Sequence, residues 1–206
     1  MDREALRALL EDLRAGRVDV DTAMRTLRGL PFEDLGFAKI DHHRALRGGA
    51  PEAVFCPGKT PAQVVAILER LIGHHANVLA TRADRSVADA VAAAGLPHVY
   101  HQDAKLVIAR PEPSAGLGLI AVLAAGTADL PVAEEAALVA EALDNRVERV
   151  YDCGVAGLHR LLDHLPLLAE ANVVVAAAGM EGALPSVIAG LLDRPVIAVP
   201  TSVGYG

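Results

Sequence analysis

Residues 119–131 have the sequence LIAVLAAGTADLP. The stretch begins with an apolar run of strand length, continues through a loop that contains Gly126, and reaches Pro131 at the start of a helical pattern. The same order returns at residues 173–192, where VVVAAA is followed by GMEG and a second helical pattern. This order predicts βα units, in which each strand leads through a short loop into a helix that covers the sheet.

Strands and helices alternate through the whole stretch after residue 113. Strands are predicted at residues 119–124, 147–151, 173–178 and 195–199, and helices at residues 131–143, 155–162 and 181–192. The connections are long enough for right-handed crossovers between parallel neighbours. The pattern therefore predicts a three-layer α/β/α domain with a parallel sheet, of the flavodoxin or Rossmann type.

The first 113 residues are less regular. Leucines at positions 6, 9, 10 and 13 predict an amphipathic helix, and a second helix is predicted over residues 21–30. The further predicted elements are a strand at 53–56, a helix at 61–71, a strand at 78–80, a helix capped by Ser86 that runs to Ala94, and a strand at 105–109. Pro111 and Pro113 mark a linker. We therefore predict a smaller mixed α/β domain over residues 1–113 and the parallel domain over residues 114–206.

The composition excludes several classes of protein. Of 206 residues, 52% are hydrophobic but only 3% are aromatic, and the formal net charge is −7. Such a chain lacks the positive surface and the stacking platforms that nucleic-acid binding needs. The N-terminus is charged, and the longest apolar run, at 115–126, is too short to span a bilayer. Cys56 and Cys153 form no CxxC pair, which fits free thiols in a reducing compartment. Together these observations predict a cytoplasmic protein with no nucleic-acid or membrane partner.

The loops that follow the predicted C-terminal strands all contain glycine. They cover residues 125–131, 152–157, 179–183 and 200–206. Since the carboxyl ends of parallel strands lie at one edge of a sheet, the loops are expected to converge there. Glycines let backbone amides approach an anion and helix N-termini add a positive dipole end, so this edge suits a phosphorylated ligand. The alternative is that the glycines only make tight βα turns.

Several polar residues have two interpretations. His159 and Arg160 suit a proton-transfer group and an anion clamp, or else belong to a polar helix face. Asp129 and Glu181 stand near predicted helix N-termini, where a carboxylate serves as an electrostatic cap. The histidine pairs at 42–43 and 74–75 lack the spacing of a metal site, so they are expected to be solvated loop residues, and no structural zinc is predicted.

The motifs of the C-terminal half resemble those of the aminoimidazole ribonucleotide carboxylases and mutases of purine synthesis. Residues 126–136 resemble the phosphate loop of that family, and residues 157–160, with the sequence GLHR, resemble its Ala-His-Arg motif. Residues 178–185 and 194–200 resemble its third loop and its last strand.

The N-terminal half resembles the additional domain of the LarB family. The matching stretches are FAKIDHHR at 37–44, an RxGxPE pattern at 47–52 and GKT at 58–60. The purine enzymes lack this domain. The resemblance to the LarB family therefore covers nearly the whole chain, with its motifs in the family's order.

LarB proteins are pyridinium-3,5-biscarboxylic acid mononucleotide synthases of nickel-pincer cofactor synthesis, which serves lactate racemase maturation. The resemblance implies an enzyme that carboxylates C5 of the pyridinium ring of nicotinic acid adenine dinucleotide with CO2 or bicarbonate and cleaves the phosphoanhydride to release AMP. In the family mechanism a cysteine thiolate adds to C4 of the ring, which makes C5 nucleophilic. The resemblance also implies a homo-octamer or smaller homo-oligomer, Mg²⁺ as the candidate metal, and no tightly bound organic cofactor.

The resemblance also gives roles to particular residues. Asp129 and His159 match positions that handle protons and orient substrate, and Glu181 is placed to orient a divalent cation or a hydrolytic water. The implied substrate contacts are Gly126, Thr127, Ala128, Gly154, Val155, Arg160, Gly179, Met180, Gly182, Thr201 and Ser202.

The nucleophile and two further functions stay open. The family's cysteine lies downstream of the loop at 200–206, so it is expected beyond Gly206, while Cys153 in a helix-preceding loop is a weaker substitute. The alternatives to the LarB activity are carboxylation of aminoimidazole ribonucleotide and nucleotide binding without a reaction.

Overall fold

The leucine pattern at the start of the chain forms two helices. The computed structural model describes residues 3–28, 32–42, 44, 50–113 and 116–202. Helix α1 spans Arg3–Arg14 and helix α2 spans Val20–Arg28. Both predicted helices are confirmed, and the last predicted residues of α2, at 29–30, lie outside the described residues. An antiparallel hairpin that the pattern does not predict follows, with β1 at Glu33–Asp34 and β2 at Lys39–Ile40.

The chain divides into two compact units. The N-terminal unit comprises Met1–Tyr100 and Val107–Pro111, and the C-terminal unit comprises His101–Leu106 and Glu112–Gly206. The domain boundary after residue 113 stays a prediction. Within the ranges that the structure describes, no helix combines the length and the apolar character needed to cross a bilayer.

A mixed four-stranded sheet forms the centre of the N-terminal unit. Its strands are β3 (Val54–Phe55), β4 (Val78–Thr81), β5 (His98–His101) and β6 (Leu106–Ala109), and its helices are α3 (Pro61–Ile72) and α4 (Arg85–Ala93). The strand order is β3-β4-β6-β5, with β3 parallel and β6 antiparallel to β4. The predicted mixed α/β architecture is confirmed, and β5 is a strand that the pattern does not predict.

Capping side chains set the starts of α3 and α4. The Thr60 hydroxyl accepts from the Gln63 amide at 3.3 Å, while the Gln63 side-chain oxygen accepts from the Thr60 amide at 2.9 Å, which forms a capping box. Helix α4 is capped by Asp84, whose carboxylate accepts from the Val87 amide at 3.0 Å. The prediction that Ser86 is the cap is wrong, because Ser86 lies inside the helix and its hydroxyl donates to the Asp84 carboxylate.

The core of the N-terminal unit is aliphatic but includes a buried histidine. Leu68 and Leu71 of α3 are fully buried against the sheet. His42 is only 4% exposed, and the centroid of its ring lies 4.5 Å from that of His74. The expectation of a solvated residue is wrong for His42, because its ring packs on His74 and its Nε2 lies 3.5 Å from the Glu33 carboxylate. The neighbouring residue 43 lies outside the described residues.

The C-terminal unit contains the four predicted parallel strands. They are β7 (Leu119–Ala124), β8 (Arg146–Val150), β9 (Val173–Ala178) and β10 (Val196–Pro200), in the spatial order β10-β9-β7-β8. Strand β7 pairs in parallel with both β8 and β9, and β9 pairs in parallel with β10. The first strand of the unit therefore lies inside the sheet with the second on one side and the third on the other, which is the flavodoxin-type order.

Helices cover both faces of this sheet. They are α5 (Leu130–Ala142), α6 (Leu158–Leu162), α7 (Leu165–Glu170) and α8 (Ala183–Leu191). Helix α5 packs on one face through Ala133 and Ala137, while α6, α7 and α8 pack on the other through Leu161, Leu168 and Ile188. The predicted three-layer α/β/α domain is confirmed. The predicted helix over 155–162 is instead a short 3-10 turn followed by α6, and α7 is an additional helix.

Candidate functional site

A cleft of about 350 Å³ opens at the carboxyl edge of the C-terminal sheet. Its walls are the loops that follow β7, β8 and β9. The chain leaves β7 toward one face of the sheet and leaves β9 toward the other, which is the position where open parallel sheets bind ligands. The lining residues are Ala125, Gly126, Thr127, Ala128, Asp129, Gly154, Val155, Ala156, Arg160, Ala178, Gly179, Met180, Glu181, Ala183 and Leu184.

Asp129 ties two strand ends together across this edge. It is 5% exposed, and its Oδ1 accepts from the Thr201 hydroxyl at 2.6 Å while its Oδ2 accepts from the Gly126 amide at 2.9 Å. The Thr201 amide donates to the carbonyl of Ala178 at the end of β9. The carboxylate therefore holds the loop after β7 against the residue that follows β10.

Gly154 brings the loop after β8 close to the loop after β7. Its amide donates to the Ala125 carbonyl at 2.8 Å, and a Cβ at this position would lie 2.8 Å from the same oxygen. Its φ of −61° is open to any residue, so the requirement for glycine comes from the close approach alone. A side chain at Gly154 would push the two loops apart.

Arg160 brings a positive charge to the cleft. The guanidinium crosses Gly157, where a Cβ would lie 2.6 Å from Nε, and its Nη1 donates to the Asp152 carboxylate. The side chains of Arg160 and Asp152 are 42% and 58% exposed, so solvent reaches the pair. An anion that enters the cleft can therefore bind Arg160 in place of, or beside, Asp152.

The loops after β8 and β9 each begin with left-handed backbone. Asp152 has a φ of 55° and Met180 has a φ of 54°, a region that residues with side chains rarely adopt. Such residues carry strain of the order of 1 kcal/mol, which the surrounding contacts must hold. The exposed Met180 lies on the rim of the cleft.

The cleft brings together most of the residues that the sequence predicts. Asp129, Glu181 and the predicted substrate contact Arg160 line it, as do seven further predicted substrate contacts. The seven contacts are Gly126, Thr127, Ala128, Gly154, Val155, Gly179 and Met180. Among the described residues, the cleft lining does not include His159, which is exposed on α6, nor Gly182, Thr201 and Ser202. The roles given to all these residues stay predictions.

Sequence reasoning did not name five apolar residues of the cleft wall as site residues. These are Ala125, Ala156, Ala178 and Ala183, together with Leu184. Alanines are frequent throughout the C-terminal half and carry no chemical signal. Ala125, Ala156 and Ala183 lie within the predicted glycine loops, and Ala178 and Leu184 lie directly beside one of them, which was the available indication.

Neither cysteine has the surroundings of an activated nucleophile. Cys153 is buried, its thiol lies 3.5 Å from the Ala124 carbonyl and 3.4 Å from the Val150 carbonyl, and burial raises its pKa to about 11. Burial likewise raises the pKa of Cys56, in the N-terminal unit, to about 11. Thiolate character and access both favour reactivity, so these observations favour a plain packing role for Cys153.

The cleft offers few ligands for a metal ion. Both carboxylate oxygens of Asp129 already accept hydrogen bonds, which leaves Glu181 as the exposed carboxylate on the cleft wall. Over the described ranges, no three His, Cys, Asp or Glu side chains form a group that could hold a metal. A hard cation such as Mg²⁺ would therefore need oxygen ligands from a bound phosphate or from water.

The fold and the cleft define an α/β domain of the aminoimidazole ribonucleotide carboxylase class. Residues 119–205 match the family model for AIR carboxylase, and residues 32–111 match the model for the LarB/PurE-like N-terminal domain. The chain is 34% identical over 211 residues to an uncharacterised protein of Methanocaldococcus jannaschii. The aligned region covers 98% of this chain and 82% of that protein. It is also 34% identical over 85 residues to the N5-carboxyaminoimidazole ribonucleotide mutase of the same organism, over 40% of this chain and 52% of that enzyme.

The two domain models occur in one chain and in the order of the LarB family. This chain belongs to the LarB family, with a C-terminal domain like that of AIR carboxylase. The predicted family is therefore confirmed, and its domains support an enzyme of the carboxylase or mutase type.

Proposed function

We propose that this protein carboxylates C5 of the pyridinium ring of nicotinic acid adenine dinucleotide and hydrolyses its phosphoanhydride. The products are pyridinium-3,5-biscarboxylic acid mononucleotide and AMP. The observation that carries the proposal is a cleft of glycine and alanine walls with Arg160 on its side, in a chain that also has the LarB-type N-terminal domain.

The charges of this substrate match the polar groups of the cleft. The dinucleotide carries two phosphates and a ring carboxylate. Arg160 binds one of these anions through its planar donors. The amides of Thr127 and Ala128 bind another, because they lie in the first turn leading into α5, where N–H groups have no acceptor within the helix.

The small side chains of the cleft suit a flat ring and an apolar co-substrate. Ala125, Ala128, Ala156 and Ala178 project only a methyl group each, so a pyridinium ring can lie close to the backbone. Such walls also displace water from the ring. A nucleophilic C5 would then meet CO2 rather than a proton from solvent.

The chemistry needs a group that removes the proton from C5 after the new carbon–carbon bond has formed. Loss of this proton and departure of the thiolate from C4 restore the aromatic ring. Glu181 is proposed as the acceptor because its carboxylate lines the cleft and is exposed. Asp129 is proposed as a positioning residue, since both its oxygens are held by the protein.

Neither Cys56 nor Cys153 is proposed as the nucleophile of the covalent step, because both of these thiols are buried and have raised pKa values. The co-substrate is CO2 or bicarbonate. The proposal uses no metal ion in any step, since among the described residues Glu181 is the one exposed carboxylate that lines the cleft.

The test is turnover by the full-length protein with nicotinic acid adenine dinucleotide and ¹⁴C-bicarbonate. The expected result is label in a pyridinium mononucleotide together with an equal amount of AMP. Label without AMP, or AMP without label, would contradict the coupled reaction. Absence of both, in a protein that binds the dinucleotide by calorimetry, would leave a nucleotide-binding protein and reject the proposed catalysis.

A second candidate is supported by the match to the ribonucleotide mutase over the C-terminal unit. The same assay with aminoimidazole ribonucleotide in place of the dinucleotide separates the two. Labelled product from the ribonucleotide alone would select the purine reaction and overturn the proposal.

A further inference from the structure

The N-terminal helical hairpin, which consists of α1, the loop at 15–19 and α2, exposes apolar side chains. Leu10 is 50% exposed, and on α2 Val20 and Met24 are 64% and 61% exposed. Ala23 of α2 is buried, while Leu6 is half-buried. Each helix therefore buries part of its apolar side and exposes the rest.

The exposed apolar residues of the two helices lie on one side of the hairpin. Successive residues of a helix are about 100° apart, so Leu6 and Leu10 lie to one side of the half-buried Leu9 and Leu13. Val20 and Met24 are displaced in the same rotational sense from Ala23. Since helices joined by a short loop are antiparallel neighbours, both displacements point to the same side. We call this surface, made of Leu6, Leu10, Val20 and Met24, the hairpin face.

A row of charges borders the hairpin face along the outer side of α1. Glu4, Arg7, Glu11 and Arg14 are all exposed, and their signs alternate along the helix. Arg7, Glu11 and Arg14 share an open groove with Leu6 and Leu10. The apolar stripe therefore has one charged border whose pattern can select a partner.

We propose that the hairpin face docks against the same face of a second copy of this chain, with the two α1 helices antiparallel. The acidic and basic positions are symmetric about residue 9, so Glu4 of one copy faces Arg14 of the other and Arg7 faces Glu11. A parallel pairing would instead place like charges opposite each other. The contact is isologous, and with both α2 helices it forms a four-helix bundle.

The charge pattern favours this occupant because it is complementary to itself. A partner of one sign would meet a repulsive residue at every second position of the row. Burying the exposed leucine, valine and methionine side chains supplies the affinity, and the charge row fixes the direction of the helices. The same alternation of charges also supports ion pairs within one α1 helix. Charge exchange separates pairing within a helix from pairing between two copies.

The first experiment is oxidative cross-linking of the full chain carrying Leu10→Cys. Leu10 lies beside the two-fold axis, so the new thiols of two copies are within reach of a disulfide. The matched control is Ala8→Cys, an exposed residue of the same helix that lies about 200° away around its axis. Cys56 and Cys153 are buried, and the parent chain without a new thiol, oxidised in parallel, gives the background that every native cysteine contributes. A disulfide-linked dimer should form about tenfold faster for Leu10→Cys than for Ala8→Cys, and equal rates would overturn the proposal.

The second experiment exchanges charges in the Leu10→Cys background. Arg7→Glu or Glu11→Arg alone places like charges at both symmetric contacts and should slow cross-linking about tenfold. Mixing the two variants restores opposite charges between copies but not within either helix, so a mixed dimer should form at the original rate. Failure of the mixture to recover would mean that the charges act only within α1, and it would overturn the antiparallel arrangement. Both readouts are independent of the proposed reaction.

Discussion

Removal of the Asp129 carboxylate should loosen the edge of the C-terminal sheet. Asp129→Ala deletes the acceptor of the Thr201 hydroxyl, at 2.6 Å, and of the Gly126 amide, at 2.9 Å. Both bonds are made to a carboxylate that is 5% exposed. A hydrogen bond to a charged group contributes about 1.5–3 kcal/mol, and water can reach part of the opened space, so the expected loss of unfolding free energy is about 3 kcal/mol.

The assay is native-state hydrogen exchange, which reports the free energy of opening for individual amides. The β7 and β9 amides give the stability of the C-terminal unit, and the Gly126 amide should become the least protected of this loop. Thr201→Val removes one of the two bonds and should cost about 2 kcal/mol, whereas Thr201→Ser keeps the hydroxyl and should cost less than about 1 kcal/mol.

A double-mutant cycle between Asp129→Ala and Thr201→Val tests whether the two residues act together. The two costs should fail to add by about 1–2 kcal/mol, because both variants remove the same hydrogen bond. Additive costs, or a loss below about 1 kcal/mol for Asp129→Ala, would refute the assignment of Asp129 as the tie between these strand ends.

Two further predictions follow from the contacts of the C-terminal unit. Gly154→Ala places a Cβ 2.8 Å from a backbone carbonyl and should destabilise the unit by about 1–3 kcal/mol in urea unfolding. Gly190→Ala, in the last turn of α8 with no atom within 4 Å of the added Cβ, is the matched control and should stabilise the unit by up to about 0.5 kcal/mol. Equal effects would contradict the close-approach argument. Burial raises the pKa of Cys153 to about 11, so this thiol should react with iodoacetamide at pH 8 about a hundredfold more slowly in the folded than in the unfolded protein. The reaction rate of the folded protein, measured by mass spectrometry, should rise as the pH approaches 11. Fast labelling at pH 8 would contradict this prediction, because it would show an accessible thiolate.

The C-terminal architecture was predictable because its signals are local and repeated. The run at 119–124 is apolar throughout, and each later strand is followed by a glycine loop and a helix, so element type and parallel pairing follow from the alternation. The order β10-β9-β7-β8 could not be predicted, because it depends on which edge each crossover joins. The positions of the loops, and with them most of the cleft, followed from the rule for carboxyl edges.

The remaining features depend on contacts between residues far apart in sequence. Strand β5 at His98–His101 is short and mixes polar with apolar residues, so its pairing in the sheet decides its conformation. His42 gives no sign of burial in the sequence, because the ring of His74 that covers it belongs to a different element. The bond between Asp129 and Thr201 joins residues 72 positions apart. No spacing rule connects them, and a helix cap was therefore the nearest available interpretation of Asp129.

The most direct test of the central claim is the dissociation constant of nicotinic acid adenine dinucleotide for two arginine variants, measured by calorimetry. Arg160 lines the cleft, whereas Arg194 precedes β10 at the opposite edge of the sheet, and the two side chains are 42% and 41% exposed. Arg160→Ala should weaken binding about 10- to 100-fold, the effect of losing a charged hydrogen bond, while Arg194→Ala should leave it unchanged. Equal affinities for the two variants would contradict the claim that the cleft binds the dinucleotide.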